Sequence, residues 1–209
     1  MTEKFDVIIV GAGAAGMMSA IEAGKRGRKV LLVDHTKKIG EKIRISGGGR
    51  CNFTNIHTHP SKFISNNPKF VISALKQYTQ NDFIDLINKH NIKFHEKKLG
   101  QLFCDESAQQ IIDMLLLECE MANIVLKKGT IIDDIDKQDN KYFIVVGNDK
   151  YFCESLIIAT GGLSIPKIGA SKFGYDIAQK FGLKIIETLP ALVPLTFSEK
   201  ILAICKELT

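Results

Sequence analysis

Residues 6–34 read DVIIVGAGAAGMMSAIEAGKRGRKVLLVD, and this stretch decides the fold. An apolar run at residues 7–10 leads into the turn GAGAAG, and a second apolar run at residues 29–33 ends in Asp34. The order predicts a strand, a phosphate-binding turn, a helix and a second strand, because G-x-G-x-x-G opens the helix of a dinucleotide-binding unit. The predicted ligand is therefore a dinucleotide.

Each glycine of the turn has an expected purpose. Gly11 lets the chain leave the strand in a tight turn, Gly13 lets backbone approach a pyrophosphate, and Gly16 lets the helix pack closely on the strand. Asp34 follows Gly11 by 23 positions, where a carboxylate can accept hydrogen bonds from ribose hydroxyls. The alternative is a buried α/β unit that has a glycine-rich turn and no ligand, and such a unit would not need the carboxylate.

Composition excludes several classes of protein. The chain has 209 residues and 45% hydrophobic content, which is enough to bury a core. The uncharged run at residues 7–21 is shorter than the roughly 20 residues needed to cross a bilayer. Five scattered cysteines without a CxxC pair indicate neither a disulfide framework nor a zinc site. We expect a cytoplasmic protein with no metal site and no membrane partner.

The net charge of +5 comes mainly from lysine, since only four of the 28 basic residues are arginine. Charge of this kind does not by itself indicate phosphate recognition, so we expect no nucleic-acid partner. All four arginines lie in the first 50 residues, and Arg44 and Arg50 flank a second glycine cluster.

That cluster belongs to residues 41–55, EKIRISGGGRCNFTN. Three consecutive glycines weaken helix or strand and suit a loop pressed against a flat or anionic ligand. The alternative is a flexible surface loop. Arg50 could lower the pKa of the Cys51 thiol, or Cys51 could be a small residue packed beneath a ligand. The candidate contacts are Ser46, Gly47, Gly48, Gly49, Arg50, Cys51 and Asn52.

Helical signals follow. Asn67 and Pro68 form a cap and a first-turn proline, and Ser107 with Gln110 forms a capping box. These signals predict a mostly helical insertion over residues 56–119.

Strand signals return after the insertion. Residues 124–126 are expected to be the third parallel strand, and residues 155–158 a strand that ends in the small-residue turn 159–162. A β-meander is predicted between them, with short runs at residues 130–136, 142–146 and 151–153. Two glycine turns with a meander are typical of a flavin domain, so we predict an α/β, Rossmann-like FAD-binding fold of the glutathione-reductase type, with a parallel sheet plus the meander.

The chain resembles the HI0933-like (BaiN-type) flavoproteins, described as NAD(P)/FAD-dependent oxidoreductases or aminoacetone oxidase family enzymes. The resemblance is carried by GAGAAG, ISGGGRCNFTN, ATGGLSIPKIGASKFGYDIA and PALVPL, which begin at residues 11, 45, 159 and 190. It departs from the family at Asp34, where glutamate is commoner, and at Cys104, where proline is usual.

The resemblance implies FAD as cofactor and hydride transfer between the flavin and a small-molecule substrate or NAD(P)H. Arg50 and Asn52 would lie nearest the flavin. Alternatives are a flavin-dependent tRNA-modifying protein and a non-catalytic nucleotide-binding module. The implied contacts beyond the loop are Gly11, Gly13, Ala14, Ala15, Asp34, Ile131 near the adenine, Thr160, Gly161 and Gly162; with the loop residues and Gly16 they make up the predicted site.

The family's chains are about twice as long, and in them a second domain follows PALVPL. We therefore expect an N-terminal fragment in which residues 1–195 form the FAD-binding domain. Its nucleotide-binding core is expected at residues 1–55 and 120–195, and residues 196–209 begin a truncated second domain.

Overall fold

The structure is a computed structural model that describes residues 2–190 and 198–199. The chain divides into two compact units, Met1–Ile177 and Ala178–Thr209. The predicted domain boundary after residue 195, and most of the PALVPL motif, lie outside the described residues. In the described part of the chain no helix is both long and apolar enough to cross a membrane.

A six-stranded sheet forms the centre of the first unit, in the order β6-β2-β1-β9-β8-β7. Strands β6, β2, β1 and β9 run parallel, whereas β7, β8 and β9 form an antiparallel meander. The strands are β1 (Thr2–Val10), β2 (Val30–Asp34), β6 (Val125–Lys128), β7 (Asp134–Gln138), β8 (Lys141–Val146) and β9 (Asp149–Ile158). This arrangement confirms the predicted α/β, Rossmann-like fold.

The central strands form because they are apolar on both faces. Ile8, Ile9, Leu31 and Leu32 are fully buried, as is typical of parallel strands that helices cover. Two helices, α1 (Ala14–Lys25) and α5 (Gln109–Met121), pack against each other and contribute buried apolar side chains to the same core.

The remaining elements include a second sheet that the sequence did not predict. It is antiparallel, in the order β3-β5-β4. Its strands are β3 (Asn52–Asn55), β4 (Phe94–Glu96) and β5 (Gln101–Cys104). The remaining α-helices are α2 (Glu41–Ile45), α3 (Ile72–Gln77), α4 (Gln80–Lys89) and α6 (Phe173–Lys180), and short 3-10 helices span Ser46–Gly49, Pro60–Lys62 and Pro166–Ile168.

The meander differs in one respect from its prediction. The runs predicted at residues 151–153 and 155–158 are one strand, β9, because β1 pairs with it from Thr2 to Val10. The third parallel strand lies one to two residues beyond its predicted position.

The insertion at residues 56–119 is only partly helical, since it contains β4 and β5. The predicted helix start at Asn67 and Pro68 is wrong, because the first α-helix of the insertion begins at Ile72. The capping box predicted at Ser107 is also wrong: the N-cap of α5 is Ala108, and the Ser107 hydroxyl accepts from the Gln109 amide.

Helix α5 extends across the predicted boundary after residue 119 and packs on α1 of the core. The proposed division into core and insertion therefore stays a prediction.

A buried carboxylate links three of the helices. Glu118 of α5 is fully buried and lies 2.8 Å from Lys25 Nζ of α1, 2.6 Å from Lys89 Nζ of α4 and 2.8 Å from His90 Nε2. Burial alone would raise the pKa of Glu118, but hydrogen bonds from these three groups outweigh it and lower the pKa to about 2. The ionised carboxylate of Glu118 is thus part of the packing of α1, α4 and α5.

Candidate cofactor-binding site

A cavity of about 820 Å³ lies where the carboxyl ends of β1, β2 and β9 meet the start of α1. Ligands of open α/β sheets bind at this edge, and the volume is within the range of small-molecule and cofactor sites. Eight predicted contacts line it: Gly11, Gly13, Ala14, Ala15, Asp34, Ile131, Thr160 and Gly161.

Two glycines of the first turn are needed for packing within the protein. A Cβ on Gly11 would lie 2.5 Å from the Ala159 carbonyl oxygen, and the φ of Gly11 is +105°. A Cβ on Gly16 would lie 1.7 Å from the carbonyl oxygen of Gly11. Gly16 is buried and is not part of the cavity lining, but it packs against Gly11, which is.

Gly13 is different. It is the N-cap of α1, its φ of −85° suits any residue, and a Cβ there would meet no described atom within 4 Å. Neither strain nor packing in the described protein therefore requires glycine. The position faces the cavity at the helix N-terminus, where amide groups favour an anionic ligand.

Asp34 braces the turn from the neighbouring strand. Its Oδ2 accepts from the Ala12 amide at 2.6 Å, and its Oδ1 accepts from the Thr36 amide at 2.8 Å and hydroxyl at 2.7 Å. The carboxylate thus has a purpose within the protein, contrary to the expectation that a ligand-free unit would not need it. Oδ2 retains a further acceptor site for a ribose hydroxyl.

The second glycine cluster is a fixed loop. Its turn is held by the Cys51 amide, which donates to the Ser46 carbonyl at 3.0 Å. The Ala108 amide donates to the Gly49 carbonyl at 2.7 Å, and the Cys104 amide donates to the Arg50 carbonyl at 3.0 Å. These bonds argue against a flexible surface loop.

The glycines of this loop have reasons internal to the protein. A Cβ on Gly47 would lie 2.7 Å from the Asn52 amide nitrogen and from the Phe103 ring. Gly48 and Gly49 have no described neighbour within 4 Å of a Cβ, but their φ angles are +67° and +87°. A positive φ is costly for other residues, so the backbone alone accounts for glycine at these two positions.

The side chains of the loop lie apart from the cavity. Among the described residues that line the cavity, none belongs to residues 46–52. Arg50 and Asn52 are exposed, whereas Cys51 is buried. Burial raises the pKa of the Cys51 thiol, and a hydrogen bond with Ser46 opposes the shift only in part, so the packed-thiol interpretation is favoured. Contact between this loop and a flavin stays a prediction.

Lys42 is a cavity residue that the sequence reasoning missed. Its Nζ donates to the Gly162 carbonyl at 3.2 Å and to the Ser164 hydroxyl at 3.1 Å, linking α2 to the turn after β9. Gly162 itself lies outside the cavity lining. Lys42 precedes Gly47, the first glycine of the second cluster, by five positions, but nothing in that spacing indicates a site. With Lys38 it adds positive charge to the wall.

Comparison with known proteins finds relatives that are named for different reactions. The ribosomal RNA dihydrouridine synthase of Escherichia coli strain K12 is 52% identical over 200 residues, which is 96% of this chain and 50% of that protein. The protein of the same name from Haemophilus influenzae is 44% identical, over 95% of this chain and 51% of that protein. The 3-dehydro-bile acid delta(4,6)-reductase of Clostridium scindens is 25% identical, over 90% of this chain and 46% of that protein.

The chain spans about half the length of these curated relatives. Among solved structures, glycine oxidase from Geobacillus kaustophilus has a TM-score of 0.54 and 14% identity, over 87% of this chain and 59% of that chain. Halogenase PltM in complex with phloroglucinol and FAD has a TM-score of 0.50 and 18% identity, over 88% and 38%. These two similarities concern the fold alone. The HI0933-like protein Rossmann domain family matches residues 5–196, so the family resemblance is confirmed and the chain belongs to that family.

Proposed function

We propose that this chain is the FAD-binding half of a flavin-dependent reductase that converts uridine to dihydrouridine in ribosomal RNA. The observation that carries the proposal is the 52% identity, over 96% of the chain, to a protein named for that reaction. The cavity supports the cofactor part of the proposal, because its residues suit an FAD.

The first turn would hold the pyrophosphate. Gly13 leaves space at the N-terminus of α1, and the first turn of that described helix has no acidic residue. Asp34 Oδ2 would accept from the adenosine ribose, and Ile131, with 71% of its surface exposed, would pack against the adenine. The backbone of Thr160 and Gly161 would approach the ligand from β9.

When bound, FAD supplies a two-electron reduction. The residues of this chain bind and orient it, and the Lys42 ammonium, held by neutral acceptors, adds a positive charge to the same wall. A positive charge near a site favours the anionic form of a bound group. NADH or NADPH is the proposed reductant, and the acid that protonates the substrate is not assigned to a residue of this chain.

The reaction class follows from the chemistry that the relatives' names share. Dihydrouridine synthesis and delta(4,6) reduction of a 3-dehydro bile acid both saturate a carbon–carbon double bond. In uridine the double bond is conjugated with a ring carbonyl, and in a 4-ene bile acid it is conjugated with the 3-ketone. Both substrates therefore accept two electrons at the carbon remote from the carbonyl.

An RNA substrate disagrees with the expectation that the chain has no nucleic-acid partner. It is closer to an alternative given in the sequence analysis, a flavin-dependent tRNA-modifying protein. A small-molecule substrate is the competing proposal. Among the relatives described above it is favoured by the bile acid reductase, which is 25% identical, against 52% for the RNA enzyme.

The test uses the intact protein with FAD, NADH or NADPH, and ribosomal RNA transcribed without modification. Mass spectrometry of the digested RNA is expected to detect dihydrouridine with wild type and none with Gly13→Val. An FAD-loaded protein that leaves ribosomal uridine unchanged while reducing a small conjugated enone would refute the RNA proposal and favour the small-molecule one.

A further inference from the structure

The positive charge of the chain is concentrated in one segment. Between Glu41 and Asp82 no acidic residue occurs, and six of the 28 basic residues lie there. This basic segment, residues 42–81, carries +6. The other 169 residues carry 22 basic and 23 acidic residues, a formal charge of −1. The excess of basic residues noted in the composition is therefore local.

The outer part of the basic segment, residues 57–78, is largely accessible to solvent. Residues 61–70, which include Lys62 and Lys69, are all exposed, and so is Lys76. Large apolar side chains lie among these lysines: Phe63 is 44% exposed and Phe70 is 79% exposed. Exposed aromatic rings among cations are what single-stranded nucleic acid requires, because rings stack on bases while cations contact phosphates.

A protein partner fits this surface less well. Cores of protein interfaces are depleted of lysine, since burying an ammonium without a carboxylate partner is costly. The segment brings no acidic residue of its own, so a covering domain would have to supply every counter-charge. An RNA backbone, by contrast, carries one negative charge per nucleotide whatever its sequence.

We propose that residues 57–78, the outer part of the basic segment, bind the ribosomal RNA substrate. Lys62, Lys69 and Lys76 contact phosphates, and Phe63 and Phe70 stack on unpaired bases. This proposal rests on the proposed function, and it places RNA recognition on a part of the chain separate in sequence from the first glycine turn. None of the five side chains belongs to the described lining of the cavity.

The first experiment measures affinity of the intact, FAD-loaded protein for an unmodified ribosomal RNA transcript at several salt concentrations. The triple variant Lys62→Gln, Lys69→Gln, Lys76→Gln is expected to weaken binding at least about tenfold and to lower the slope of log affinity against log salt by about 2. The matched control is Lys4→Gln, Lys98→Gln, Lys141→Gln, which removes three exposed lysines elsewhere. It is expected to change affinity by less than about threefold.

The second experiment separates stacking from charge. Phe70→Ala is expected to weaken binding about tenfold with an unchanged salt slope. Leu99→Ala is the matched control, because Leu99 has the same exposed fraction of 79% and lies outside the basic segment. In turnover assays the lysine variant is expected to raise KM for RNA and leave kcat and FAD content unchanged, as loss of uniform binding does.

Three outcomes overturn the proposal. Tight RNA binding with equal losses in the two lysine variants would refute this surface and leave the proposed function standing. Protection of Lys62, Lys69 and Lys76 from amine acetylation in RNA-free protein would show that the rest of the chain covers them. Failure of the wild type to bind or modify ribosomal RNA would refute the proposed function together with this surface.

Discussion

The first glycine turn and the second glycine cluster look alike in sequence but use glycine differently. The first turn has two glycines that pack tightly, Gly11 and Gly16, and one with open space around it, Gly13. The second cluster has one that packs tightly, Gly47, and two with open space around them, Gly48 and Gly49. The open glycine of the first turn, Gly13, has an ordinary φ, whereas the open Gly48 has a φ of +67°. Only Gly13 therefore lacks an explanation within the described protein.

The difference teaches how to weigh a glycine as a sign of a ligand. A glycine in the left-handed region is explained by its backbone, and a glycine against a carbonyl is explained by packing. A glycine with ordinary angles and empty space indicates that something outside the chain occupies the space. By this criterion Gly13 of the first turn indicates a ligand, whereas the three glycines of the second cluster do not.

The largest effect is expected at Gly16. Replacement with alanine places a methyl group 1.7 Å from the Gly11 carbonyl oxygen, so helix and strand must separate. We expect Gly16→Ala to lower the free energy of unfolding of the intact protein by about 3 kcal/mol or more. Urea denaturation measures it, with Gly13→Ala as the control that should change stability by less than about 1 kcal/mol. Equal stability of the two variants would remove the distinction between packing and open glycines.

The next effect concerns the open glycine itself. Gly13→Val is expected to weaken FAD binding at least about 100-fold while the free energy of unfolding of the apoprotein changes little, because the branched side chain fills space that the protein leaves empty. Titration of apoprotein with FAD measures the change. Wild-type affinity in this variant would place the nucleotide elsewhere.

Asp34→Ala tests the strand end that faces the first turn. We expect FAD binding to weaken by about 1 to 3 kcal/mol, since a charged acceptor is lost. Stability should fall as well, because the amides of Ala12 and Thr36 lose their partner. FAD titration and urea denaturation separate the two losses. An unchanged stability with weakened FAD binding would show that Asp34 serves the ligand alone.

For the second cluster, a backbone effect without a ligand effect is expected. Gly48→Ala should cost about 1 kcal/mol of stability, because alanine is strained at a φ of +67°. FAD affinity should stay within about twofold of wild type. A large loss of FAD binding in this variant would support the predicted contact between this loop and the flavin.

The smallest effect concerns the thiol of the second cluster. Burial raises the pKa of Cys51 above its ordinary value of 9.0, so the unreactive neutral thiol dominates at pH 7. Alkylation of Cys51 in the native protein should therefore be slow at pH 7 and rise only above pH 9. Peptide mass mapping after timed alkylation checks this. Rapid modification at pH 7 would indicate the thiolate that Arg50 could have stabilised.

The sequence predicted the parts of the fold that rest on local patterns. The β1–α1–β2 unit was found because its apolar runs and glycine spacing lie within 29 consecutive residues. Strand β5 was missed because its buried side chains, Leu102, Phe103 and Cys104, form a run too short to distinguish from a loop. Strand β3 was missed because Asn and Thr are paired there only by tertiary contacts with β5.

The site was predictable to a similar extent. The spacing of the first turn led to the cavity, since each position has one expected role. The second cluster could not be placed, because the sequence does not reveal which glycines have a positive φ. Lys42 could not be found either, because its partners Gly162 and Ser164 lie more than 100 residues away.

Strand β9 has a consequence for how the protein opens. Residues 150–153 are paired with β1 on one side and with β8 on the other. Residues 155–158 continue beside β1 and lead into Ala159 and Thr160 at the cavity. Its amides can exchange with solvent only if the meander or the parallel sheet separates from it. One wall of the cavity thus follows directly from β9, a strand that separates from the sheet late in unfolding. A cofactor bound there would be released by local motion of the turns before the sheet unfolds.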